Sequence, residues 1–156
     1  MSKQFVLKYL LIFLGIGLAI TFVLSQLGRY ANDASLDNWD SNFQGYVKSS
    51  RMQLASGQPM LLFFYTDWCP NCKKLREEIL SHTEVKLFIE GQIHPVKINP
   101  EAGAYENQLA EDYKVMGYPT ILLVDEKTGN TQWIKQTSNI SPAQFIQQLQ
   151  NALVKT

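Results

Sequence analysis

The stretch Met60-Leu61-Leu62-Phe63-Phe64-Tyr65-Thr66-Asp67-Trp68-Cys69-Pro70-Asn71-Cys72-Lys73 decides the fold. Its first six residues form a continuous apolar run, the pattern of a strand buried on both faces. Such a strand needs helices above and below it. After the break at Thr66-Asp67, Lys73 to Leu80 reads as a helix, which places Cys69 and Cys72 at a strand-to-helix junction.

Working upstream, Trp39, Phe43, Tyr46, Val47, Ser50 and Leu54 recur at three- and four-residue intervals and predict an amphipathic helix. Ser56-Gly57-Gln58-Pro59 ends it. Downstream, Ser81-His82-Thr83-Glu84 reads as a capping box opening a helix through Ile89. Ile93–Ile98 is a predicted strand, Ala104–Val115 a helix, and Ile121–Val124 a strand after Gly117-Tyr118-Pro119-Thr120. Asp125–Asn130 is a turn leading into a returning strand, Thr131–Lys135. Ser141-Pro142-Ala143-Gln144 is a second capping box, starting a helix that carries Phe145, Ile146, Leu149 and Leu153. Alternating helices and strands followed by a hairpin imply an α/β fold: a mixed sheet with helices on both faces.

The N-terminus belongs to a different solvent. Tyr9–Leu27 holds nineteen residues without a charge, and a helix of that length spans about 28 Å, close to a bilayer's hydrocarbon thickness. The positions after it offer no convincing cleavage site, so the expectation is an uncleaved transmembrane anchor rather than a signal peptide. Lys3 and Lys8 precede the span and Arg29 follows it, which leaves residues 1–8 in the cytoplasm and sends the rest across the membrane. Residues 28–38 read as a tether and 39–156 as the folded domain.

The chain carries 14 Lys+Arg against 14 Asp+Glu, which argues against a polybasic nucleic-acid binder. Three of those basic residues and no acidic ones lie in 1–29, so the remainder has eleven against fourteen, a net of −3. Two cysteines are too few for a disulfide-stapled scaffold or a four-thiolate zinc site. His82 and His94 show no ligand spacing to them, so no metal is expected.

Both cysteines therefore fall in one Cys-x-x-Cys. Backbone N–H groups at a helix start stabilise a thiolate at Cys69. The three-residue offset puts Cys72 one turn on, within reach of a mixed disulfide formed at Cys69. Pro70 is tolerated in the first turn, where its missing N–H was unpaired, and it stiffens the loop. The competing readings are a static bridge or half of a metal site; a dithiol at a helix start favours redox chemistry.

Trp68-Cys69-Pro70-Asn71-Cys72-Lys73 after one apolar strand, with Gly117-Tyr118-Pro119-Thr120 before another about fifty residues later, resembles the thioredoxin superfamily. The resemblance runs from Gly57 to the C-terminus. Gln58-Pro59, Asp67-Trp68-Cys69 and Ser81–Val85 are most similar to the soluble C-terminal domain of bacterial transmembrane thiol:disulfide interchange reductases. The Cys-Pro-x-Cys core is also similar to anchored thioredoxin-like proteins of cytochrome c maturation.

The resemblance implies a thioredoxin-like three-layer fold, with Cys69 the exposed nucleophile and Cys72 the buried resolving thiol. It implies a cis Tyr118–Pro119 bond and a substrate-binding side at Trp68, Tyr118, Pro119 and Thr120, although core packing is an equal use for Trp68. Pro70 and Arg76 would tune the site, and the redox-active disulfide would be its only cofactor. Two departures stand out. Thioredoxins place a buried carboxylate six residues before the first cysteine, where this chain has Phe63. The interchange domains place an acid four residues after the second, where this chain has Arg76. Water, Asp67, Glu77 or Glu78 would then deprotonate Cys72, and Arg76 would favour the thiolate.

The expected function is a thiol–disulfide oxidoreductase held in the bacterial inner membrane by one span, with its domain in the periplasm, reducing substrate disulfides. Its expected partners are substrate proteins with disulfides or thiols, the lipid bilayer, and a separate membrane electron donor, since one span cannot relay electrons by thiol exchange. The alternative is a non-turnover module that holds client thiols or delivers a metal, for example in cytochrome maturation.

Overall fold

The apolar run forms a strand, Met60–Phe64, with all five side chains buried, and the other elements are arranged around it. A computed structural model describes residues 15–17, 20–21, 36–135 and 140–154. Within the unit Ser35–Thr156, the chain runs β1 (Asp40–Ser41), α1 (Asn42–Ser56), β2 (Met60–Phe64), α2 (Pro70–Leu75) and a π-helical turn (Arg76–Leu80). It continues through α3 (Thr83–Gln92), β3 (His94–Ile98), a 3₁₀ turn (Pro100–Ala102) and α4 (Ala104–Asp112). The hairpin β4 (Thr120–Asp125) and β5 (Asn130–Ile134) and a last helix α5 (Pro142–Leu153) complete it.

The sheet order is β1-β3-β2-β4-β5. β1, β3 and β2 run parallel, while β4 is antiparallel to β2 and β5 to β4. The two-residue period of a strand sends alternate side chains to opposite faces. Leu61, Phe63, Ile121 and Leu123 meet Leu75, Ile79, Val85, Ile89, Phe145 and Leu149, so α2, α3 and α5 cover one face. Met60, Leu62, Phe64, Val96, Ile98, Leu122 and Val124 meet Leu109, with Phe43 and Tyr46 packed alongside, so α1 and α4 cover the other. This is the three-layer mixed-sheet architecture expected from the sequence. Each large side chain so buried contributes about 1.5–3 kcal/mol, which makes the continuous run at β2 the natural centre.

Local differences have physical reasons. α1 begins at Asn42 rather than Trp39, because the edge strand β1 comes first. Trp39 enters the core ahead of it, edge-on to Phe63 at 6.3 Å between centroids. The fully buried positions of α1 are Gly45, Ser49 and Gln53, while Phe43 and Tyr46 of the expected apolar face pack half-buried against the core and Leu54 is exposed. At Gly45 an added Cβ would lie 2.8 Å from the Asp40 carbonyl carbon, so close approach to β1 excludes a side chain there. Gln53 donates through Nε2 to Val124 O at 3.0 Å and Asp125 Oδ1 at 3.2 Å. Leu36, inside the expected tether 28–38, is buried beside Trp39, so the packed core reaches at least to residue 36.

The capping box of α5 forms as its spacing predicts, with Ser141 Oγ accepting from Gln144 N–H and Gln144 Oε1 from Ser141 N–H. The one expected at Ser81–Glu84 does not form. α3 starts at Thr83 behind His82, with no side-chain cap. The Ser81 hydroxyl instead donates to Glu77 O at 2.6 Å, and its N–H to Arg76 O at 2.9 Å, because the π-helical turn leaves those carbonyls to be satisfied. α4 stops at Asp112, short of Val115, and Lys114 takes a left-handed φ of 54°.

The expected anchor at 9–27 lies almost wholly outside the described residues. Residues 15–17 and 20–21 within it are helical, and among the described residues no helix is long and apolar enough to cross a membrane.

Candidate active site

Topology gathers the site. Because β2 and β3 are parallel, Phe64 and Ile98 end side by side; because β4 is antiparallel, Thr120 begins beside Phe64. The segments after β2, after β3 and before β4 therefore meet at one end of the sheet. Carboxyl ends of strands are the usual place for chemistry in α/β folds.

Cys69 is the N-cap of α2, and its Sγ accepts the Cys72 N–H at 3.1 Å. Its own N–H donates to Thr66 O at 3.3 Å, and Lys73 N–H donates to Cys69 O at 3.2 Å, so the turn is fixed on both sides. Pro70 occupies the first helical position, where no N–H is needed. Cys69 and Cys72 are joined as a disulfide with Cα atoms 5.3 Å apart. The expected contrast in exposure is small in this oxidised pair: Cys69 is 5% and Cys72 3% exposed. Cys69, expected to be exposed, is buried because its sulfur turns back onto the start of α2, where it accepts the Cys72 N–H.

Trp68 is 68% exposed, which disposes of the core-packing reading. Its Nε1 donates to Glu101 Oε1 at 2.9 Å, and its ring stands edge-on to Tyr118 with centroids 6.5 Å apart. The Tyr118–Pro119 bond is cis, as the resemblance implies. Burial, and secondarily the Glu101 carboxylate, push the Tyr118 phenol up from its ordinary range. Thr120 is buried and its hydroxyl donates to Gly117 O at 2.8 Å, closing its own loop.

Phe63 lies in the core with Tyr65 stacked on it at 5.4 Å and 21°. Beside the disulfide is a cavity of about 100 Å³, lined by Phe63, Tyr65, Thr66 and Asp67 from one side and Cys69, Cys72, Lys73 and Arg76 from the other. Burial first, then Asp67, raises the Tyr65 phenol, with Arg76 opposing. Asp67 accepts a hydrogen bond from Asn99 Nδ2 at 3.3 Å. The other two acids named above do not line the cavity: Glu77 and Glu78 pair with Lys73 and Lys74 along the helix at 4.0 and 3.9 Å.

His94 pairs with Met60 at the far end of the sheet from the cysteines, and its Nε2 is 2.9 Å from Ser56 Oγ. His82 is exposed ahead of α3. Among the described residues no group of three or more His, Cys, Asp or Glu gathers that could hold a metal ion.

Three residues at this site carry no sequence expectation of their own. Asn99 caps the 3₁₀ turn, its Oδ1 accepting from Glu101 N–H at 3.0 Å, and thereby aims Glu101 at Trp68. The Asn99-Pro100 pair is a turn signal, and parallel pairing of β2 and β3 would have brought it beside Cys69. Thr66 is buried in a segment that reads as a polar break.

The family profile described as Thioredoxin-like domain matches residues 47–153. The chain is 29% identical over 114 residues to the thiol:disulfide interchange protein DsbD of Yersinia pestis, covering 70% of this chain and 19% of that protein. It is 30% identical over 92 residues to the disulfide bond reductase DsbH of Chlamydia pneumoniae, covering 53% of this chain and 55% of that one. It thus spans less than two thirds of the length of these curated relatives. The oxidised DsbD C-terminal domain of Neisseria meningitidis superimposes with a TM-score of 0.57 at 21% identity, over 68% of this chain and 90% of that domain. That last likeness shows the fold alone. With the mixed sheet, the dithiol at the start of α2 and the family match over more than half its length, the chain belongs to the thioredoxin-like domain family.

Proposed function

We propose that the protein is a membrane-anchored, extracytoplasmic thiol–disulfide oxidoreductase that reduces disulfides of substrate proteins. The observation that carries this reading is the Cys69–Cys72 pair, with Cys72 N–H directed at Cys69 Sγ. That N–H stabilises negative charge on Cys69 sulfur once the pair is reduced. The Cys69 thiolate attacks a substrate disulfide, whose S–S bond breaks; one substrate sulfur leaves and takes a proton, and a mixed disulfide remains on Cys69. The Cys72 thiolate then attacks Cys69 Sγ, forming the intramolecular disulfide and releasing the second substrate sulfur. The substrate gains two electrons and two protons, and the dithiol loses both.

Trp68, Tyr118 and Pro119 form the rim on which a substrate chain rests; Thr120 fixes the loop that presents Tyr118 and Pro119, and Glu101 holds Trp68. The reducing direction is supported by the relatives, one of which is a disulfide bond reductase. The apolar stretch 9–27 supports the anchor, and the basic residues before it support a periplasmic domain in a bacterial inner membrane. Recycling of the dithiol needs a separate membrane electron donor.

Cys72→Ala tests the exchange chemistry. The expected result is accumulation of substrate proteins trapped on Cys69 and loss of turnover by at least about a thousandfold. Retained function in Cys72→Ala would instead establish the holding or metal-delivery module. Labelling of Cys69 by a membrane-impermeant thiol reagent in intact spheroplasts tests the topology; protection until the membrane is opened contradicts it.

A further inference from the structure

The cavity beside Cys72 contains an unmet polar requirement. Thr66 is 2% exposed, it lines the cavity, and its Oγ1 has no hydrogen-bond partner among the described residues. A buried hydroxyl left unpaired loses its bonds to water without replacement, so the site favours a partner. The volume of about 100 Å³ is several times the ~10–15 Å³ that one water needs. Thr66, Asp67, Lys73 and Arg76 line it, residue types able to give a held water its two to four polar contacts. Phe63, at the position of the family's buried carboxylate, has no atom that accepts a proton.

We propose that this cavity is hydrated and that Thr66 is a positioning residue, holding the water that takes the Cys72 proton. The proposal rests on the exchange reading above and names how its second step proceeds. The Cys72 thiol gives its proton to the held water, which passes it by way of the Asp67 carboxylate to bulk solvent. The thiolate attacks Cys69 Sγ; the bond from Cys69 to the substrate sulfur breaks as the Cys69–Cys72 bond forms. The departing substrate thiolate takes a proton from solvent, so protons and electrons balance.

The charges around the thiol are set by several elements. Lys73 and Arg76 from the α2 side favour the thiolate and Asp67 opposes it. Tyr65 lies on the cavity wall, and its phenol stays neutral through the physiological range. Glu77 is engaged with Lys73. Glu101 and Tyr118 meet at Trp68, on the substrate rim.

The test is stopped-flow mixing of the reduced full-length protein with an aromatic disulfide whose released thiol is coloured. A first phase reports attack by Cys69 and a second reports resolution by Cys72. Thr66→Val, which exchanges the hydroxyl for a methyl, is expected to slow the second phase about tenfold at neutral pH. Its pH midpoint should rise by about one unit, the equivalent of that tenfold, with the first phase unchanged. Thr66→Ser should restore the wild-type midpoint. Thr66→Ala removes the same hydroxyl without adding atoms and reads the same midpoint should Val not be accommodated. An unshifted second phase in Val and Ala, or equal shifts in Val and Ser, overturns the role of Thr66. A wild-type protein that shows the first phase and never the second contradicts the exchange reading itself, without any substitution at Thr66.

Discussion

The two faces of the sheet differ in how their polar side chains are bonded. Under α1, Tyr46 OH lies 3.1 Å from Tyr113 OH and donates to Glu126 Oε1 at 2.8 Å, while Ser50 Oγ donates to Glu126 Oε2. Gln53 adds its bonds to Val124 and Asp125, although its Oε1 is unpartnered. Under α2, Thr66 is buried beside a cavity, its hydroxyl without a partner among the described residues, and the dithiol lies against the same cavity. A network with most of its polar atoms bonded specifies structure, because each bond fixes one arrangement. An unsaturated hydroxyl beside a thiol leaves room for something that moves, here a proton. Loss of a polar side chain should therefore be read in stability on the first face and in exchange kinetics on the second.

The largest effect on stability is expected from a pure packing residue of the second face, which lies outside that polar comparison. Phe63→Ala should lose about 3–5 kcal/mol in chemical denaturation, because Phe63 is buried between Trp39 and Tyr65. A smaller loss would mean that the cavity wall is already loose. Gly45→Ala comes next, at about 1–3 kcal/mol, since its new Cβ would lie 2.8 Å from Asp40 backbone. Both phases of disulfide exchange should survive Gly45→Ala per folded molecule; a change in either would break the division between the faces.

Tyr46→Phe removes the hydroxyl that joins Tyr113 to Glu126 and should cost about 1–2 kcal/mol, again without touching exchange kinetics. Its pH signature is distinct. Burial, then Tyr113 and Glu126, push the Tyr46 phenol far above the ordinary 10.0, so folding favours its neutral form. That contribution is complete below pH 10.0 and is lost as pH rises beyond it. Wild-type stability should therefore fall in alkali more steeply than that of Tyr46→Phe. The smallest effect is at His94, whose imidazole burial pulls below 6.5. Neutral His94 is favoured on folding, so its contribution is full above pH 6.5 and declines as pH falls beneath it. A denaturation series across that window, compared with His94→Gln, reads it.

Much of this architecture was legible because its signals are local. The run Met60–Phe64 could only be a doubly buried strand, and Ser141–Gln144 could cap a helix without help from elsewhere. Cys69-x-x-Cys72 was legible for the same reason, since its chemistry lies in one turn. The helix α1 is legible from its period, but its most buried positions are not, because neighbours set them: Gly45 meets the Asp40 backbone, Ser49 donates to Asp40 Oδ2, and Gln53 reaches Val124 and Asp125. Ser81 was misread because a π-helical turn, which no periodicity announces, claimed its hydroxyl. Thr66 and Glu101 escaped for a third reason. Glu101 reaches Trp68 through the pairing of β2 with β3, and Thr66 matters through its burial against the cavity that Cys72 also lines; the neighbouring sequence announces neither.

The most direct test of the proposed reducing role is the reduction potential of the Cys69–Cys72 couple, by equilibration of the full-length protein with a dithiol buffer of known potential. A reductase requires a value near that of thioredoxin, ~−270 mV, and that is the predicted result. A value near ~−120 mV, about 7 kcal/mol away in the dithiol–disulfide equilibrium, would make the protein an oxidant and contradict it.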